Sequence, residues 1–161
     1  MTTIRPATEA DWPAILAIVK PVLAAGETYA VDTGLDDAAI RAYWLMPAHE
    51  VFVAECDGVI VGTYYLMANQ GGGGAHVANC GYMTAPQARG KGVARAMCMD
   101  SLRRARERGF RAMQFNHVVS TNTGAVALWQ ALGFEIVGTL PGAFHHPVHG
   151  YVDSFVMFRR L

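Results

Sequence analysis

The chain has 161 residues, 52% of them hydrophobic and 16% charged, and its 13 basic and 13 acidic side chains cancel. A chain of this size buries roughly two-thirds of its unfolded surface in one core, and balanced charge excludes a global attraction to nucleic acid or an anionic membrane surface. Three scattered cysteines, Cys56, Cys80 and Cys98, match neither a disulfide framework nor a metal pattern. With no apolar run near the roughly 18 residues that span a bilayer, the expectation is one soluble cytoplasmic domain, residues 1–161.

Thr2–Pro6 predicts a short first strand. Thr8 then offers an N-cap, Asp11 a first-turn acid and Pro13 an early helical proline. An apolar stripe follows at Ile15, Leu16, Ile18, Val19, Val22 and Leu23. A second helix starts near Asp36 or Asp37, carries Ile40, Tyr43 and Trp44, and stops before Pro47. Residues 51–56 and 59–67 read as strands around Asp57-Gly58, a two-residue hairpin signal. Residues 71–74, four glycines, read as a flexible hairpin loop, and 76–84 as a further strand ended by Pro86.

The longest helix runs from Gly90 or Lys91 to Arg108 and is closed by Gly109. Its Arg103, Arg104, Arg106 and Arg108, with Glu107 among them, fit a solvated helix face. In the strand 111–118, alternation places Met113, Phe115 and His117 on one face and Gln114 and Asn116 on the other. Residues 122–132 form a helix with Gly133 past its end, and 134–140 and 151–159 are closing strands. This order predicts an α/β fold: a mixed sheet with helices on its faces and one crossover between the fourth and fifth strands.

The segment with most chemistry is Gln87-Ala88-Arg89-Gly90-Lys91-Gly92-Val93-Ala94, between a strand and the longest helix. A helix start carries unpaired N–H groups and the positive end of its dipole, so a phosphate or pyrophosphate is its natural guest. Gly90 and Gly92 remove the Cβ atoms that would hold a ligand off the backbone. A dinucleotide site fits less well, because the spacing is not Gly-x-Gly-x-x-Gly and no acid follows at the ribose distance.

A strand, then Gln-x-x-Gly-x-Gly at Gln87 to Gly92, a helix, a strand, and an Asn-x-x-Ala-x-x-Leu-aromatic-x-x-Leu-Gly-Phe segment complete the pattern. The last is carried by Asn122, Ala125, Leu128, Trp129, Leu132, Gly133 and Phe134. Over essentially its whole length the chain resembles the GCN5-related N-acetyltransferase family. The resemblance implies that family's fold, a mixed, mostly antiparallel sheet with splayed fourth and fifth strands and helices on both faces. It also implies acetyl transfer from acetyl-CoA, a co-substrate, to an amine, with no metal. Gln87, Arg89, Gly90, Lys91, Gly92, Val93 and Ala94 would hold the pyrophosphate, mainly through backbone N–H groups. The strand end around Tyr82, Met83 and Thr84 would run beside the pantetheine arm, and Asn122 would hold that arm from the other side. The backbone N–H of Met83 is the expected oxyanion contact.

Many family members carry a tyrosine in the second motif as general acid, whereas this chain has Trp129, whose indole N–H cannot serve. The string around His76, Asn79 and Gly81, then Phe115-Asn116 and Thr121-Asn122, with that tryptophan, resembles the branch that acetylates proline analogues such as L-azetidine-2-carboxylate. By that resemblance Asn79 holds the substrate carboxylate, and Asn116 orients the secondary amine or stabilises the transition state. Alternatively, both amides satisfy irregular strand backbone.

His145, His146 and His149, near Pro147, are candidate bases between the final strands, and His76 and His117 read as structural. Glu27 is another conceivable base. Tyr29, Trp44, Tyr64 and Phe144 could furnish an acceptor pocket, although aromatics at such places are usually core. Cys80 is a minor candidate for an acyl-enzyme. The expected acceptor is a small-molecule amine, without nucleic acid or membrane as partner. Dimers are frequent in the resembled family, and no residue here demands one. Rival readings are a phosphinothricin-type acetyltransferase, a peptide N-terminal acetylase, and a non-catalytic acyl-CoA sensor.

Overall fold

The computed structural model describes residues 1–161. Seven strands form one sheet: β1 (Thr2–Pro6), β2 (Glu50–Cys56), β3 (Val59–Ala68), β4 (Val77–Thr84), β5 (Ala112–Val119), β6 (Glu135–His146) and β7 (Gly150–Arg160). Four α-helices accompany them: α1 (Trp12–Ala25), α2 (Asp37–Trp44), α3 (Val93–Glu107) and α4 (Thr123–Ala131). The spatial order is β1-β2-β3-β4-β5-β7-β6, so β7 inserts between β5 and β6. Every neighbouring pair is antiparallel except β4 and β5, which the α3 crossover makes parallel. No helix is long and apolar enough to cross a membrane.

Local chemistry explains the element ends. Thr8 and Asp11 form a capping box around a 3-10 turn at Glu9–Asp11, and this postpones α1 to Trp12. Asp36 caps α2 by accepting the Ala39 N–H at 2.8 Å. The four-glycine patch is folded as a 3-10 turn at Gly72–Gly74 rather than left open. β6 passes the end expected at Leu140 and continues to His146, with a register shift between Leu140 and Phe144. That irregularity absorbs Pro141 and Gly142, and Asp153 on β7 accepts the Gly142 N–H at 2.9 Å.

The α3 residues Val93, Met97, Leu102 and Ala105 are buried as one stripe. The opposite face is covered by α1 and α2, where Ile15, Val19 and Trp44 have no exposed surface. Trp44 donates to Thr63 Oγ1 at 3.1 Å, and the Tyr64 hydroxyl donates to Asp100 at 2.7 Å. Both aromatics are core residues, not pocket walls. The basic α3 face, expected to be solvated, is partly so: Arg103 pairs with Asp100 and Glu107, while Arg104 pairs with Asp100 and lies over the Phe52 ring.

Candidate active site

β4 and β5 pair only through Val77 with Ala112 and Ala78 with Met113; beyond that point the two strands part. Regular pairing would next have given the Gln114 carbonyl to the Cys80 N–H. Instead the Asn79 side-chain amide donates to that carbonyl at 2.8 Å. One asparagine therefore satisfies the backbone acceptor left by the split, and its Oδ1 enters no hydrogen bond.

The phase of β4 decides which amides face the gap. Ala85 N–H bonds to Val61 O at 2.8 Å, and Asn69 N–H bonds to Val77 O at 2.8 Å. Between these two bonds the β3–β4 register is unbroken, with Met83 opposite Thr63. Antiparallel alternation then turns the odd β4 residues, Met83 included, toward β3 and the even ones toward β5. His76 O, which accepts from Arg111 N–H on the β5 side at 2.8 Å, obeys the same phase. The expected oxyanion contact at Met83 is therefore corrected: its N–H is committed to β3, and the amides aimed into the gap are those of Cys80, Tyr82 and Thr84. The Tyr82 carbonyl, also on the gap side, accepts the Tyr29 hydroxyl at 3.0 Å.

The gap opens into a cavity of 960 Å³ that runs to the start of α3. Gly90 and Gly92 have φ of +72° and +81°, and a Cβ built on either would meet no protein atom within 4 Å. Glycine is required there by backbone conformation, and the space above it is open. No backbone acceptor is found for the N–H groups of Gly90, Gly92, Val93, Ala94 or Arg95. The helix has no acidic residue in its first turn, so its positive end is left uncompensated. α3 starts at Val93, later than expected, because Pro86–Ala88 takes up a 3-10 turn and Gly92 serves as N-cap. Five unpaired N–H groups around open space fit a pyrophosphate.

Of the anticipated coenzyme contacts, Met83, Thr84, Arg89, Gly90, Gly92, Val93, Ala94 and Asn122 line the cavity. Gln87 and Lys91 do not; both side chains are exposed, and the Lys91 N–H is turned to Ala88 O. Arg95, one helical step past the loop, does line it and was missed. Its place in the first turn of α3 was the available signal.

Tyr29, Asn79 and Asn116 also line the cavity, as does Glu27, its one carboxylate. Arg89 and Arg95, beside and within the first turn of α3, line it as well. The Asn116 amide donates to Asn69 Oδ1 at 2.6 Å, and Asn116 Oδ1 accepts from Gln114 Nε2 at 2.8 Å. Phe144 is not on the wall; it is buried with its ring 5.9 Å from that of His117, which is. A bulge between Phe115 and Val118 breaks the β5 alternation, and His117 leaves the expected Phe115 face to meet Ser154.

Trp129 packs against Tyr82 and Phe115 in tilted arrangements, at centroid distances of 5.1 and 5.2 Å, and is buried at the cavity edge. Burial pushes the Cys80 thiol up to about 12, which leaves almost no thiolate near neutrality and removes it as a nucleophile. The histidines 145, 146 and 149 sit at the β6–β7 turn, off the cavity wall. There His146 Nδ1 accepts the Val148 and His149 N–H groups at 3.1 and 3.2 Å, a turn-capping task rather than base chemistry.

The model of the acetyltransferase (GNAT) family matches residues 14–134. N-acetyltransferase aca1 of Schizosaccharomyces pombe is 32% identical over 113 residues, which cover 68% of this chain and 54%, about half, of that protein. A GCN5-related N-acetyltransferase structure from Kribbella flavida superposes with a TM-score of 0.94 at 49% identity, covering 99% of this chain and 98% of its own. A phosphinothricin acetyltransferase from Sinorhizobium meliloti, solved with acetyl-CoA, superposes with a TM-score of 0.85 at 26% identity, covering 99% and 88%. The parted strands and the amide-lined start of α3 thus belong to a shared scaffold, and the chain is a member of the GNAT acetyltransferase family.

Proposed function

We propose that this protein transfers an acetyl group from acetyl-CoA to the amine of a small amino acid, a proline analogue such as L-azetidine-2-carboxylate being the favoured acceptor. The observation that carries it is one cavity joining the α3 amides, the gap amides and a polar acceptor end. The N–H groups of Gly90, Gly92, Val93, Ala94 and Arg95 hold the pyrophosphate, with Arg89 and Arg95 adding charge. The amides of Cys80, Tyr82 and Thr84 pair with the pantetheine arm, and those nearest the acyl end stabilise the charge developing on the thioester oxygen. Asn122 borders the arm from the α4 side.

The acceptor enters from the α1–α2 side, past Glu27 and Tyr29. It meets Asn79 and Asn116, whose partly committed amides form a rigid wall that positions the amine. Transfer is direct, within a ternary complex. The buried Cys80 thiol takes no acyl group, and a thiolate as stable as that of CoA leaves without the tyrosine that Trp129 replaces. The free cysteines suit a cytoplasmic setting.

A thiol-release assay with acetyl-CoA tests this across L-azetidine-2-carboxylate, L-proline, phosphinothricin and short peptides with free N-termini. Release with the cyclic amino acids is expected. Preferential release with phosphinothricin would move the assignment to the primary-amine reading that the Sinorhizobium meliloti neighbour favours. Tight CoA binding with no amine-dependent release would make the protein a sensor.

A further inference from the structure

His117 is held on two sides. Its Nδ1 lies 2.7 Å from Ser154 Oγ, and Ser154 has no exposed surface. The buried Phe144 ring meets it edge-on at 5.9 Å and 66°. Neither Ser154 nor Phe144 reaches the cavity, whereas His117 does; Nδ1 is taken by Ser154, and Nε2 enters no hydrogen bond within the protein.

The Ser154 hydroxyl has a single hydrogen-bond partner, His117 Nδ1, and no water reaches it. A buried hydroxyl hydrogen needs an acceptor, and Nδ1 is the one in reach. With Nδ1 accepting, a neutral imidazole carries its proton on Nε2, as a donor without a protein acceptor on a residue of the cavity wall. The neighbouring amides on β4 and β5 are already drawn upon: Asn79 donates to Gln114 O at 2.8 Å, and Asn116 to Asn69 Oδ1 at 2.6 Å. The two lining arginines belong to the start of α3, and Glu27 is the one carboxylate on the wall.

We propose that His117 binds the carboxylate of the acceptor amino acid through Nε2–H, in a tautomer that the positioning residue Ser154 imposes, while Glu27 faces the substrate's ammonium group. This rests on the acetyltransferase reading above and names the residue that makes the enzyme select amino acids over simple amines. It moves the carboxylate contact from Asn79, which holds the strand gap, to the residue displaced by the β5 bulge.

The test uses the full chain labelled with ¹⁵N-histidine and long-range ¹H–¹⁵N spectra. In the unmodified protein His117 is expected as the single Nε2–H tautomer, and in Ser154→Ala as a mixture. Adding L-azetidine-2-carboxylate is expected to shift His117 Nε2; adding azetidine, which lacks the carboxylate, is not. In kinetics, His117→Leu should raise KM for the amino acid roughly 10- to 100-fold, one lost hydrogen bond to a charged group, and should raise KM for azetidine far less. His117→Gln, which restores an N–H at the Nε2 position, should recover most of that loss. An Nδ1–H tautomer in the unmodified protein, or equal losses with both acceptors, would overturn the proposal. If the unmodified protein acetylates neither acceptor, the functional reading fails by itself. The Nε2 titration then decides for or against His117: a shift with the amino acid alone sustains it, and no shift refutes it.

Discussion

Substituting Gly90 by alanine separates what the loop before α3 does for the fold from what the proposed function asks of it for CoA. At φ of +72° a Cβ is strained, but it would touch no protein atom within 4 Å. The cost to stability is therefore the left-handed conformation alone, about 1–2 kcal/mol, or roughly 2–8 °C in melting temperature for a domain of this size. The ligand meets a different obstacle, because the methyl group occupies the open space into which the loop amides point. Losing one amide–phosphate hydrogen bond costs about 1.5–3 kcal/mol, so the CoA dissociation constant should rise roughly 10- to 100-fold for each bond lost. Gly58→Ala supplies the control, since Gly58 has φ of +77° with nothing within 4 Å and lies in the β2–β3 turn, off the cavity wall. Both variants should melt earlier by similar amounts, and calorimetric titration with CoA should find only Gly90→Ala weakened. A folded Gly90→Ala protein that binds CoA like the parent would refute the assignment of the loop.

Other consequences can be measured directly. Arg5 grips Asp11 through two bonds of 2.7 and 2.9 Å and holds its carboxyl well below the ordinary value of 3.8, so this stabilisation is complete above that pH and drains away as the pH falls below it. Asp11→Asn should destabilise by about 1–3 kcal/mol at neutral pH, the buried-pair figure reduced because Arg5 is partly exposed, and should flatten the acid limb of a stability–pH curve. Trp129→Phe should cost about 1 kcal/mol of aromatic packing against Tyr82 and Phe115, yet leave the pH profile of kcat unchanged; a lost limb would mean the indole acts in proton transfer. Gly81→Ala places a Cβ 2.6 Å from the Tyr65 ring. Such overpacking costs about 1–3 kcal/mol, and because Tyr65 lines the cavity it should also raise the acceptor KM under the proposed function.

The scaffold was largely readable from the chain itself. Glycines at 90 and 92 before a helical pattern announce open, unpaired amides at the start of α3, because those amides are local to the loop. The element order likewise follows from punctuation by Gly58, Pro86, Gly109 and Gly133. What could not be read was phase. Whether Met83 or its neighbours face the gap depends on the β3–β4 register, a long-range property of residues 61–85. The position of His117 depends on a bulge that only pairing with β7 reveals. Strand β6 outruns its expected end for a similar reason: Pro141 and Gly142 look like a stop, but the Asp153 carboxylate on the partner strand bridges the irregularity.

The side-chain staple between Asn79 and the Gln114 carbonyl has one further effect. Because its amide occupies an acceptor that would otherwise draw the strands together, the cleft already exists in the resting molecule, its width set by the reach of one asparagine. Prying the sheet apart is thus completed during folding and need not be repeated each time a ligand binds. A visitor arrives at a doorway held ajar, and the energy of its contacts goes to alignment instead of entry.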